Sequence, residues 1–130
     1  MRKKKFSQEW EKQSQYDLET AQALFKTGRH IYCVFMCHLS LEKMLKGLYA
    51  QEVNKIHPKI HSLIYFVRIQ NLNLSEDVKI FLEELDEVSV PTRYPEELEQ
   101  LLKVYDKKRT QAILNQTKEV WKCLKKKFEK

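Results

Sequence analysis

The chain reads as an all-α protein, an up-and-down bundle of about five helices. Two observations lead there. Only two Gly and three Pro occur in 130 residues, which suits long helices and is too few turn residues for a β-sandwich. Residues 31–49 (IYCVFMCHLSLEKMLKGLY) are apolar on two sides. Ile31, Val34, Phe35, Leu41, Leu45 and Leu48 recur at three- and four-residue steps, one helical stripe. Cys33, Met36, Cys37, Ser40, Met44 and Gly47 make a second stripe of small or soft residues. A helix apolar on both sides is surrounded, so this is predicted to be the central helix. Its small-residue face invites close approach by a helix of the same chain or of a second copy.

The remaining elements follow in order. The first helix is expected to start near Ser7, with Glu9 in its first turn. It buries Trp10, Leu18, Ala21, Leu24 and Phe25 and stops at Gly28. The short turn after it makes a hairpin with the central helix. Pro58 interrupts the chain, and His61 and Ser62 precede a short helix bearing Leu63, Phe66, Val67 and Ile69. Ser75 caps the next helix, whose buried face is Val78, Phe81, Leu82, Leu85 and Val88. That helix is expected to end at SVPTRYPEE, where Pro91 and Pro95 bracket Thr92, Arg93 and Tyr94 in a stiffened loop. A short helix is expected over residues 97–105. Asp106 then caps the last helix, with Ala112, Ile113, Thr117, Val120, Trp121, Leu124 and Phe128 at helical spacing.

Length and composition set the class. Hydrophobic residues are 42% and charged residues 32% of the chain, ordinary for one globular domain over residues 1–130. The ends 1–6 and 126–130 are basic and expected to fray. No apolar run approaches the ~18 residues of a membrane span. The basic start has no apolar segment behind it, so a cytoplasmic protein is expected. The net charge is +6, and it is uneven. Residues 2–5 carry four positives, and residues 122–130 carry five Lys against one Glu. The ends therefore contribute +8, which leaves −2 for residues 6–121. If the first and last helices lie side by side, the ends form one basic patch suited to nucleic acid.

Polar residues on apolar faces are the informative ones. His38 lies on the apolar stripe and reads as a hydrogen-bonded core histidine. Glu42 and Lys46 are an i, i+4 pair that needs partners if buried. Asp17, at the margin of the first helix's stripe, reads as a carboxylate that pairs with or orients a base. Arg93 and Tyr94 suit an anion site, since Arg makes bidentate phosphate contacts and Tyr stacks on bases. His61 reads as a capping or packing residue. No metal is expected: Cys33, Cys37 and His38 sit in an apolar helix without a second ligand pair, and Pro58 divides His57 from His61. The three Cys do not suggest a disulfide framework.

The motifs together resemble the HEPN domain family. The resemblance rests on DLETA in residues 17–21 after Trp10, then Gly28, Arg29 and Tyr32 at the hairpin. It continues through CHLSLEKMLKGLYA in residues 37–50, IHSL in residues 60–63 and TRYPEE in residues 92–97. It spans nearly the whole chain. It implies a helical bundle similar to the C-terminal domain of kanamycin nucleotidyltransferase. It also implies a homodimer, association with nucleotide or RNA, and a nucleotidyltransferase protein partner in a toxin–antitoxin-like pair. One branch of the family consists of metal-independent ribonuclease toxins marked by Arg followed four to six residues later by His. No His follows Arg93 here. A module not catalytic alone and needing no cofactor is expected. Arg93, Tyr94, Lys46 and Lys43 would contact the nucleotide, and Asp17 and Glu42 would orient the bases. The alternatives are a ribonuclease in which Arg93 acts with His61, and a ligand-free helical scaffold dimerising through the Cys33–Ser40–Gly47 face.

Overall fold

The computed structural model describes the backbone of residues 2–53 and 57–128, with side chains except those of residues 2–6, 53 and 93. Six helices are present among them: α1 (Arg2–Lys26), α2 (His30–Val53), α3 (Leu63–Ile69), α4 (Glu76–Arg93), α5 (Leu98–Val104) and α6 (Lys107–Phe128). None is long and apolar enough to cross a membrane.

The two stripes of α2 are both covered from within the chain. Val34, Leu41, Leu45 and Leu48 pack with Leu63, Phe66, Leu82 and Leu85 of α3 and α4. On the other side Cys33 and Cys37 meet Leu18 and Ala21 of α1 and Leu114 of α6. The small residues permit close approach. Ser14 Oγ donates to the Ser40 carbonyl at 2.7 Å, Ser40 Oγ donates to the Ser14 carbonyl at 2.8 Å, and Trp121 Nε1 donates to Ser14 Oγ at 2.8 Å. These reciprocal bonds lock α1, α2 and α6 together at one level. The face offered to a second copy by a scaffold is thus an internal seam.

Helix ends follow local chemistry. Gly28 has φ +78°, and the Gly28 and Arg29 amides donate to the Phe25 and Leu24 carbonyls. That is the Schellman termination only a Gly adopts without strain. Ser75 Oγ accepts from the Val78 amide, and Asp106 Oδ1 accepts from the Arg109 amide. Two expectations need correction. α1 starts at Arg2, not near Ser7, which is buried within the helix. α4 also runs through Pro91 to Arg93 rather than ending before it. Proline forfeits one backbone bond there, but its φ fits a helix. The turn stays closed around it: Thr92 Oγ1 donates to the Val88 carbonyl at 2.7 Å, and the Tyr94 amide donates to the Val90 carbonyl. Only residues 94–97 lie between α4 and α5.

Gly47 sits where α1 and α6 come close to α2. A Cβ there would lie 2.8 Å from Phe128 Cζ and 3.0 Å from Trp10 Cβ. Gly47→Leu is expected to lower stability by about 1–3 kcal/mol, as overpacking does. Thermal melts measure the loss, while sedimentation should show an unchanged association state, because this contact is made inside one chain.

Candidate functional site

Three residues on α2 follow one another at i, i+4 spacing: His38, Glu42 and Lys46. The spacing stacks them on one helix face, and all three are buried. A buried charge must be paired and hydrogen-bonded. Glu42 Oε2 receives Lys46 Nζ at 2.7 Å and His61 Nδ1 at 2.9 Å. The Lys46 ammonium also lies 5.8 Å from the Trp10 ring centre and 6.0 Å from that of Phe66, within cation–π range. His38 Nε2 bonds Asp86 Oδ1 at 2.9 Å. An ionised carboxylate only accepts, so Nε2 carries the proton. His38 Nδ1 and Glu42 Oε1 then face each other at 3.8 Å, and neither makes a hydrogen bond.

Asp86 joins this cluster to α3. Its carboxylate also accepts from Ser62 Oγ and from the Leu63 and Ile64 amides. Ser62 is itself the N-cap of α3, accepting from the Tyr65 amide. Burial alone would raise the Asp86 carboxyl. The His38 bond and the two amides more than reverse that and hold it below its ordinary value of 3.8.

The structure brings some predicted residues together and separates others. Glu42, Lys46 and His61 form one cluster. His61 does not cap α3, since Ser62 does; its imidazole is held by Glu42 while its side chain stays 66% exposed. Lys43 Nζ lies 2.9 Å from Asp17 Oδ2 between α2 and α1. The geometry there is off the line of a hydrogen bond, so the attraction is coulombic. Asp17 is buried and paired with Lys43, and both lysines are engaged in ion pairs. Tyr94 lies elsewhere: 72% exposed, it lines a groove between α4 and α5 with Val90 and Leu101. The side chain of Arg93, and with it any contact to His61, lies outside the described residues. Among those residues no group of three or more His, Cys, Asp or Glu could hold a metal ion.

Asp86 is the member of the cluster that the sequence reading did not single out. A signal for it exists: it stands four residues after Leu82 and beside Leu85, a carboxylate at the edge of an apolar stripe, as Asp17 is.

An all-helical bundle with a buried polar cluster on its central helix defines the class, and sequence comparison gives the family. The HEPN domain family model matches residues 7–127, and the chain belongs to that family. No curated protein matches the sequence. Two solved structures share the fold. TT1696 from Thermus thermophilus is 21% identical with a TM-score of 0.80, covering 93% of this chain and 97% of that one. ST0689, described as an archaeal HEPN homologue, is 23% identical with a TM-score of 0.74, covering 94% and 97%.

The lowered Asp86 value fixes a sign. A depressed carboxyl contributes stability above its unfolded value and loses that contribution as pH falls through the folded one. Asp86→Asn should cost about 1.5–3 kcal/mol near neutrality, the scale of hydrogen bonds to a charged group. Denaturant melts should show the gap to the parent closing as pH drops below the ordinary 3.8; a pH-independent gap would assign the loss to shape alone.

Proposed function

We propose that this HEPN protein is a nucleotide- or nucleic-acid-associated module, dimeric and acting with a nucleotidyltransferase partner, that holds polyanions at one basic end. The supporting observation is the register of α1 against α6. Lys125 pairs with Glu11, Trp121 bonds Ser14, and Leu114 packs with Leu18 and Ala21. The helices are therefore antiparallel neighbours, the condition the sequence set for merging the basic ends. The backbone of residues 2–5 carries α1 on beyond Glu11, at the same end of the bundle as the α6 turns that bear Lys122, Lys126 and Lys127. Lys43 and Lys46 are already paired, whereas Lys122 and Lys126 are exposed at this end. Arg93 and Tyr94 have a supporting share, as a contact to a single nucleotide.

Fluorescence anisotropy with labelled single-stranded RNA tests this across a salt series. The parent should bind with a negative slope of log affinity against log salt, about 0.7 per neutralised phosphate. Charge reversal at Lys122, Lys126 and Lys127 should weaken binding by more than about ten-fold and flatten that slope. Arg93→Ala should cost less than about three-fold, the size of one rim charge contact. Equal affinity in the triple variant would remove the basic end from the assignment.

One observation favours a second reading, ribonuclease action. His61 donates from Nδ1 to buried Glu42 and leaves Nε2 with its lone pair at the surface. A carboxylate-oriented imidazole is the form of a general base able to take the proton of a ribose 2′-hydroxyl. RNA cleavage in EDTA separates the readings. The module reading expects none above background for the parent, His61→Ala or Arg93→Ala. Cleavage by the parent that is lost in both variants would put the ribonuclease first.

A further inference from the structure

The groove between the end of α4 and α5 is the least explained surface of the molecule. α5 is seven residues long and buries none of them fully, and its N-cap, Glu97, makes no side-chain capping bond. So short a helix has little stability of its own. Of the large hydrophobic side chains left exposed among the described residues, Val90, Tyr94, Leu98, Leu102 and Val104 all fall in this region. Val90, Pro91, Tyr94 and Val104 line an open groove of about 420 Å³, with Glu96 and Glu97 at its edge. Clustered apolar exposure with a polar rim marks an interaction surface.

Charge narrows the occupant. The described residues that line the groove include two carboxylates, Glu96 and Glu97, and no Lys or Arg. Two copies meeting groove to groove would oppose like charges. A partner with aliphatic side chains flanked by Lys or Arg satisfies both features at once.

Position keeps this surface apart from the basic end. The first turns of α4 face residues 118–122 of α6, whereas Leu85 and Val88 face Tyr105 and Arg109 at its start. α4 is thus antiparallel to α6, and its end points away from the lysines. α6 has 22 residues, about 33 Å at the usual helical rise.

From these observations we infer that the α4–α5 groove is the docking site for a cationic amphipathic helix of a partner protein. The inference deepens the partner element of the proposed function and rests on it, but it is independent of RNA binding at the basic end.

The probe is a labelled synthetic Leu/Lys amphipathic helix, read by anisotropy against the full chain. A peptide with Glu in place of Lys is the control. The Leu/Lys peptide should bind and the Leu/Glu peptide should not. Val90→Ser with Val104→Ser should weaken binding by about ten-fold, as should Glu96→Gln with Glu97→Gln, the scale of losing a small set of anchor contacts. All four positions lie at the surface, and circular dichroism confirms that the variants fold. RNA affinity should not change in the Val90/Val104 variant. Peptide binding indifferent to both variant pairs, or equal binding of the acidic peptide, would overturn the inference. A sedimenting dimer that dissociates in the Val90/Val104 variant would also overturn it, since the occupant would then be a second copy. Loss of RNA binding with peptide binding retained would instead count against the basic end alone.

Discussion

Buried charge on α2 is the constraint that organises this bundle. Removing Glu42 and Lys46 from water carries a desolvation penalty that their mutual attraction offsets only when the remaining hydrogen-bonding capacity is filled. Beyond the Glu42–Lys46 pair, the polar side chains of α2 therefore recruit partners from other elements. Glu42 takes His61 from the connector before α3, and His38 takes Asp86 from α4. Asp86 in turn caps α3 through two amides. Lys43 takes Asp17 from α1. Apolar packing tolerates volume-conserving rearrangement, whereas a displacement of one turn would leave several buried polar atoms unpaired. The polar face sets the register, and the apolar stripes supply most of the drive.

The opposite face of α2 uses a different device. Ser14, Ser40 and Trp121 bond one another across three helices, and Ala21, Cys33, Cys37 and Gly47 leave room for the backbones to come close. Small side chains bury little area each, so this seam depends on contact density and on satisfied hydroxyls. It also orders the surface. Clamping α1 and α6 antiparallel gathers the basic ends at one pole, while the direction of α4 leaves the groove with Glu96, Glu97, Val90 and Val104 toward the other.

The architecture was legible because it follows from spacing. Two stripes on residues 31–49 sufficed to make that helix central, and Gly28, Ser75 and Asp106 marked boundaries through backbone chemistry that does not depend on tertiary context. Boundaries that do depend on context were misread. Ser7 has the composition of a cap but lies inside a longer helix, and Pro91 looks like a stop although a last-turn proline loses only one bond. The small-residue stripe announced close approach without saying by what, because an intramolecular and an intermolecular helix present the same face.

The polar cluster was half legible for a physical reason. Glu42, Lys46 and His38 share one helix, so periodicity alone places them together. Asp86 and His61 come from 48 and 23 residues further along than His38, and only the packing of α3 and α4 onto α2 brings them in. What sequence does offer at long range is a mismatch: a carboxylate at the margin of an apolar stripe. Asp17, Glu42 and Asp86 all show that mismatch, and each proves to be paired with a base on or beside α2. In a helical bundle with so few turn residues, acidic side chains on apolar stripes are therefore better guides to the interior network than the basic residues are. The bases divide into those consumed inside, such as Lys43 and Lys46, and those left on the surface, and only the first kind helps to fix the packing of the helices.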